Sequence, residues 1–394
     1  MIVLGAGPIG LECLLRARES GWEADAYESG RVGESVRRWG HVRMFSPWRM
    51  NVSAAGKAAA GLEDVDPEGL PTGAEYVTRY LEPLAASPLQ VGRVHLGTEV
   101  VAVSRGRLLK GDAIASDARH RLPFRVFLRD GRGERVEEAD VVVDATGTYA
   151  TPNWLGPGGI PAVGERSARG VEYRIPDIEG RDRASFAGRR TLVVGAGHSA
   201  ATAIVALEAL ARETPRTRVV WMTRSEEKRP VPEVSADPLA ERARIAGAAN
   251  RVAEDGERWL ERLPGSDVDA LHEAGFGYRV TTGGPGGQRA LDVDRVLALV
   301  GYRPDHELAR ELQVQTCWAT EGTYPLAAAL LSRAGEGSDC LEAGRDLDAS
   351  TLRHPEPGFF TLGMKSYGRN PDFLLEVGFK QVDDLLTSLA VDAF

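Results

Sequence analysis

An α/β fold with two Rossmann-like dinucleotide-binding domains is what this sequence predicts, and three observations predict it. A short apolar run, Ile2-Val3-Leu4, leads into a glycine turn, Gly5-Ala6-Gly7-Pro8-Ile9-Gly10. A second β-type run, Thr191 to Val194, leads into a second turn, Gly195-Ala196-Gly197. After each turn comes a stretch of helical periodicity and then another β-type run, the βαβ order that a dinucleotide site requires.

The bulk numbers fit such a protein. The chain has 394 residues, 43% hydrophobic and 27% charged, ordinary for a globular protein of two or three domains. Its formal net charge of −9 argues against a nucleic-acid binder and against a basic membrane-surface protein. No apolar run reaches the roughly 18 residues of a membrane span, and the N-terminus lacks a secretory signal pattern. The three cysteines, Cys13, Cys317 and Cys340, make no disulfide framework. The seven histidines show no ligand spacing, so no metal is expected. The expected location is the cytoplasm.

In the first turn Gly5, Gly7 and Gly10 have G-x-G-x-x-G spacing. The first glycine permits the tight turn, the second lets a pyrophosphate approach the backbone, and the third lets helix pack on strand. Residues 8 to 20 read as the helix, opening at Pro8, and its free N–H groups suit phosphate. The next run, Ala24 to Tyr27, ends at Glu28, followed by Ser29. A carboxylate there accepts hydrogen bonds from ribose hydroxyls.

In the second turn His198, Ser199 and Ala200 open a helix running through Ala211, with Ala200 in place of the third glycine. The following strand, Arg218 to Thr223, ends at Arg224 rather than at an acid. A guanidinium suits a 2′-phosphate, so NADPH is expected over NADH. Ser225, Lys228 and Arg229 are further candidates for that phosphate. His198 either faces the nicotinamide or the cofactor phosphates or merely fills the turn. Two such sites imply two cofactors: FAD, which stays bound, and NADPH, which brings a hydride.

Four further stretches carry a resemblance. They are DVVVDATG (Asp140 to Gly147), continuing through Tyr149 to Pro152, and RVLALVGYRPD (Arg295 to Asp305), with Val300 where threonine is usual. The others are GFFTLGMKSYGRNPDFLLEVG (Gly358 to Gly378) and HVRMFSPWRMN (His41 to Asn51). With both turns they resemble the flavoproteins with two dinucleotide-binding domains. That superfamily holds the flavin-containing, Baeyer–Villiger and N-hydroxylating monooxygenases and the thioredoxin-reductase-like enzymes. The resemblance implies an FAD domain with an inserted NADPH domain. Residues 1–160 would be the first part of the FAD domain, 161–300 the linker and NADPH domain, and 301–394 the returning part. It implies flavin contacts from Ala145, Thr146 and Gly147 and from Gly363, Met364, Phe373 and Leu374. It also implies a backbone contact from Val100 or Val101 to the FAD adenine. The segment Leu96 to Ser104 alternates like one strand.

The resemblance further implies a monooxygenase, using NADPH and O₂ on a small organic substrate through a C4a-(hydro)peroxyflavin. Trp48, Arg49 and Asn51, with Lys365 and Ser366, are the candidates near the reacting ring. Arg49 or Lys365 would stabilise a peroxide anion. Two departures stand against oxygenation. The F-x-G-x-x-x-H signature is not recognisable between Trp154 and His198, and His198 occupies a position where flavin-containing monooxygenases carry asparagine. The alternative is an NADPH-dependent flavin reductase or dehydrogenase, or a thiol-disulfide oxidoreductase using Cys317 and Cys340. No C-x-x-C exists for the thiol route. Cys13 reads as buried packing. A homodimer is compatible with the sequence.

Overall fold

The short apolar runs ahead of the glycine turns form buried parallel strands. A computed structural model describes residues 1–275, 277–333 and 349–392. Cys340, one of the two cysteines of the thiol reading, lies outside the described residues. The chain divides into two units, Met1–Thr151 with Arg303–Phe394, and Pro152–Tyr302.

The first unit is built on a five-stranded parallel sheet. Its strands are β1 (Ile2–Leu4), β2 (Asp25–Glu28), β3 (Val94–Leu96), β7 (Val142–Asp144) and β15 (Phe359–Thr361), in the order β15-β7-β1-β2-β3. Val3, Leu4, Val142 and Val143 are fully buried, because helices and loops cover both faces of a parallel sheet. Helix Pro8–Glu19 buries Leu11, Leu14 and Leu15 completely, each side chain contributing about 1.5–3 kcal/mol. Cys13 on the same helix is fully buried, and burial pushes its thiol up to about 12, so it packs as a small apolar residue. Helix Leu375–Asp392 closes the unit and packs Val382, Leu385 and Leu389 into the same core.

A three-stranded antiparallel sheet joins this unit: β4 (Glu99–Arg105), β5 (Phe124–Asp130) and β6 (Gly133–Ala139). The single strand expected over Leu96 to Ser104 is therefore two. Gly97, at φ +64°, takes a left-handed conformation that turns the chain from β3 into β4.

The second unit has a four-stranded parallel sheet of β8 (Arg190–Val194), β9 (Arg218–Thr223), β10 (Leu260–Pro264) and β14 (Arg295–Ala298), in the order β10-β9-β8-β14. Helices His198–Glu213 and Ala240–Asp255 connect its first three strands. An antiparallel meander of β11 (Asp267–Ala274), β12 (Gly277–Gly283) and β13 (Arg289–Val293) leads back into β14, and the glycine cluster at 283–287 is its last turn. The ends of the unit meet in a bridge between Pro152 and Tyr302, with Asn153 N–H donating to Gly301 O at 3.0 Å.

Candidate cofactor-binding sites

Two glycines per unit decide what each turn can hold. A Cβ on Gly10 would sit 2.0 Å from Gly5 O, so only glycine lets the helix approach the strand. A Cβ on Gly195 would sit 2.2 Å from Leu299 O, and Gly195 is at φ +130°. Gly7 and Gly197, the N-caps of helices Pro8–Glu19 and His198–Glu213, are the reverse: a Cβ on either meets no protein atom within 4 Å. The turns are thus closed toward the sheet and open at the helix N-terminus, the side a pyrophosphate approaches. Neither N-cap carries a side-chain hydrogen bond that would compete for the helix N–H groups.

In the first unit the carboxylate of Glu28, at the end of β2, is drawn to the turn. Its Oε2 accepts from the Ala6 N–H at 3.0 Å and its Oε1 from the Gly30 N–H at 2.8 Å. Ser29 Oγ donates to Oε1 at 3.3 Å. In β4 the register with β5 slips between Val100 and Ala102. Val101 has no residue opposite it there, and a bulge of this kind frees main-chain groups beside a site.

The A-T-G segment follows β7. Ala145 N–H donates to Leu4 O at 3.0 Å, so this segment lies beside the first turn. Asp144, almost fully buried, organises it. Its Oδ1 accepts from Thr146 N–H at 3.1 Å and Thr146 Oγ at 2.7 Å, and its Oδ2 accepts from Lys365 Nζ at 2.6 Å. Lys365 Nζ also donates to Thr146 Oγ at 3.0 Å. Gly363 N–H donates to Gln381 Oε1 at 2.8 Å, and Gln381 Nε2 donates to Ser366 Oγ at 2.9 Å. Met364 Sδ accepts from Thr148 Oγ at 3.4 Å, tying the two flavin-family segments together. Gly147 follows Thr146 in the same segment, and Phe373 and Leu374 immediately precede helix Leu375–Asp392. Phe373 stacks edge-on against Tyr367, ring centroids 5.4 Å apart.

Asp144 was not singled out by sequence reasoning. A lone acid ending an apolar strand, in VVVDATG, is the signal that would have found it, because such a charge is kept only where it is paired. The returning segment of this unit, residues 303–394, carries two histidines. His306 donates Nε2–H to Glu321 O at 2.8 Å, and burial, with Lys365 nearby, lowers its pKa. His354 accepts Gln315 N–H at Nδ1 and donates Nε2–H to Thr361 Oγ at 3.2 Å; burial pulls its pKa down to about 4.

Like Ser366, the other residues expected near the reacting ring are all engaged. Trp48 is buried and packs on Tyr76, ring centroids 5.9 Å apart. Asn51 exchanges hydrogen bonds with Ser46, Nδ2 donating to Ser46 O at 2.8 Å and Oδ1 accepting from Ser46 Oγ at 2.7 Å. Arg49 is 53% exposed and donates to Glu68 Oε1 at 2.6 Å. Lys365 is 1% exposed and neutralised by Asp144. Both expected stabilisers of a peroxide anion, Arg49 and Lys365, thus lie against a carboxylate.

In the second unit Arg224 is exposed, and no ion pair engages it among the described residues. Arg229 is ion-paired, with Nη2 2.8 Å from Glu233 Oε1 and Nη1 2.6 Å from Glu254 Oε2, which removes it from the phosphate candidates. His198 opens the helix half-buried and Ser199 is exposed beside it, while Ala200 is fully buried. Cys317 sits half-buried in a turn, where bonds from Thr320 and the Ala319 N–H lower its pKa. Among the described residues no group of three acids, histidines or cysteines is placed to hold a metal ion, and no helix is long and apolar enough to cross a membrane.

The geometry defines an α/β flavoprotein oxidoreductase with two dinucleotide-binding units. Residues 1–322 match the model of the pyridine nucleotide-disulphide oxidoreductase family, and the chain belongs to it. The family binds FAD and NAD(P)H. Among solved structures the chain is similar to a bacillithiol disulfide reductase of Bacillus cereus, at 18% identity and a TM-score of 0.71 over 99% of this chain and 98% of that one. It is also similar to the ornithine N-hydroxylase of Kutzneria sp. 744, at 17% identity and a TM-score of 0.63 over 100% and 99%. A thioredoxin reductase of T. acidophilum aligns at 15% identity and a TM-score of 0.58 over 99% and 98%. Among curated proteins nothing matches the chain.

Proposed function

We propose that the first unit binds FAD, the second binds NADPH, and the enzyme passes electrons from NADPH to a small organic acceptor. The observation that carries this reading is the pair of turns, each closed by one glycine and open at the other. Bound there, FAD would supply the two-electron chemistry between NADPH and the acceptor. The chain's own residues orient and hold. Glu28 takes the ribose hydroxyls, the amides after Gly7 take the pyrophosphate, and the main chain of Val101 meets the adenine. The Lys365–Asp144–Thr146 bonds fix the A-T-G segment beside the ring. Arg224 takes the 2′-phosphate of NADPH.

Reduction is favoured over oxygenation because Lys365 and Arg49 are each already paired with a carboxylate. Neither cation is free of a carboxylate to offer its full charge to an anion formed in oxygenation. Oxygenation, with O₂ as co-substrate, is the second reading. It is favoured by the absence of any C-x-x-C, which leaves no dithiol relay of the thioredoxin-reductase kind.

The test is rapid mixing of the flavin-loaded protein with NADPH or NADH without air, then with oxygen. NADPH should bleach the flavin roughly tenfold or more faster than NADH, given one charge-assisted phosphate contact. Direct return to oxidised flavin with equivalent hydrogen peroxide fits a reductase. Incorporation of labelled oxygen into an organic product establishes the second reading. No bleaching by either nucleotide defeats both.

A further inference from the structure

The second unit contains a guanidinium that no carboxylate engages among the described residues. Arg262 lies on β10, directly opposite Trp221 of β9 in the parallel register. Its side chain stacks over the Trp221 indole, with Cζ 4.8 Å from the ring centroid. Trp221 is fully buried, and its Nε1–H donates to Gly195 O at 2.8 Å. A line of contacts thus runs from the second glycine turn through Trp221 to Arg262.

Among the described residues the only hydrogen bond of this guanidinium is a long one, from Nη1 to Lys228 O at 3.5 Å. Nε is buried without a partner. Burial lowers the pKa, and no acid offsets it. The usual partners are engaged elsewhere. Glu261, the preceding residue, pairs with Arg190 and Arg289. The Glu226 side chain lies against Gly265, where a Cβ would meet its Cγ at 2.8 Å. A half-buried guanidinium is costly to leave unpaired, and this one lies under the loop that follows Arg224.

That loop runs Arg224-Ser225-Glu226-Glu227-Lys228-Arg229 and turns back toward β10, since Lys228 O reaches Arg262 and Gly265 N–H donates to Ser225 O at 3.2 Å. With Arg229 occupied by Glu233 and Glu254, Arg224, Lys228 and Arg262 are left here without an acid among the described residues. Arg224 and Lys228 come from the loop. Arg262 comes from the neighbouring strand, and its guanidinium is stacked on the Trp221 face, which limits the rotamer freedom lost on binding an anion.

We propose that Arg262 is a specificity residue of the second site, donating to the 2′-phosphate of the adenosine and completing with Arg224 a two-sided clamp on that phosphate. The inference rests on the reading of the second turn as an NADPH site. It adds a discriminating contact outside the loop that ordinarily reads the 2′ position.

The test uses the flavin-loaded protein and two nucleotides without nicotinamide, so that no electrons move: 2′,5′-ADP and 5′-AMP, titrated calorimetrically. The wild type should bind 2′,5′-ADP at least a hundredfold more tightly than 5′-AMP, as expected for roughly two charge-assisted contacts. Arg262→Met keeps an unbranched side chain beside Trp221 and removes the charge; it should cut that ratio about tenfold and leave 5′-AMP binding unchanged. Should loss of the charge unfold the protein, Arg262→Lys, which keeps a charge but loses the planar fork of donors, carries the same comparison, with a smaller fall in the ratio. A ratio unchanged in the Arg262 variants but lowered by Arg224→Ala overturns the role of Arg262 and leaves the cofactor reading standing. Equal weakening of both nucleotides marks a purely structural arginine and overturns it too. A wild-type ratio near one overturns the NADPH reading and this inference together.

Discussion

At the residue scale the first unit carries a buried acid with a measurable consequence. Glu12, on the helix after the first turn, is 2% exposed and among the described residues accepts only a hydroxyl bond, from Ser53 Oγ at 2.8 Å. Burial raises its pKa to about 7. The folded protein keeps a proton that the unfolded chain releases near 4.5, so stability falls as pH rises from there to about 7 and is level above. The effect is about 3 kcal/mol across that window. Glu12→Gln removes the titration and should gain on the wild type by about that amount between about pH 5 and about pH 8 in urea unfolding. A difference that does not change with pH would falsify this account. Residues of this kind explain what the sequence shows and what it hides. The turn glycines are legible because their constraints are local: strand, turn and helix are contiguous. The partner of Lys365 is not, because Asp144 lies 221 positions away and nothing local names it. For the same reason the pairing of Arg49 with Glu68 is not legible in the sequence.

At the scale of elements, the glycine turns, β9 and the final helix follow from periodicity, and the linkage between distant segments does not. The clearest case ties β4 to the segment before β15. Glu356 is fully buried between Arg105, Nε to Oε1 2.9 Å, and Arg119, Nη2 to Oε2 2.7 Å. Burial opposes its ionisation, but the Arg119, Gln313 and Arg105 bonds win and hold its pKa below the ordinary value. Arg105 also stacks on Phe124, with Cζ 3.4 Å from the ring centroid. The cluster pins the 106–122 segment to the returning part of the chain. Glu356→Ala strands two buried guanidinium groups and should cost about 3–5 kcal/mol. Denaturant unfolding gives the loss, and proteolysis should cut first within 106–122. A loss below about 1 kcal/mol would mean that the pair is no better than a surface bridge.

At the scale of the whole molecule, the second unit is a continuous stretch with its own core and joined ends. Leu192, Val194, Val220, Met222, Val268, Val280, Leu291 and Val296 form one buried cluster within it. Residues 152–302 alone should therefore fold, melt cooperatively and retain the nucleotide discrimination assigned to Arg224 and Arg262. A broad transition, or loss of the ends' pairing by hydrogen exchange, would show that the rest of the chain is required. The insertion was readable from the order of motifs, because A-T-G and G-Y-R-P stretches flank the second turn. The antiparallel sheets gave weaker signals, since their strands are half-exposed and their pairing is decided by turns such as Gly97 and by the slip at Val101.

The first unit is discontinuous, and that sets the order of events during synthesis. Its sheet needs β15, which pairs with β7 at Phe359–Val142, and its first helix packs against the last one. On the ribosome the second unit is complete while residues 303–394 are still unmade. The N-terminal β1 and β2 must then wait with an unpaired edge on β7 until the carboxyl end emerges. Nascent chains of this protein should recruit chaperones at the N-terminal half for longer than at the middle.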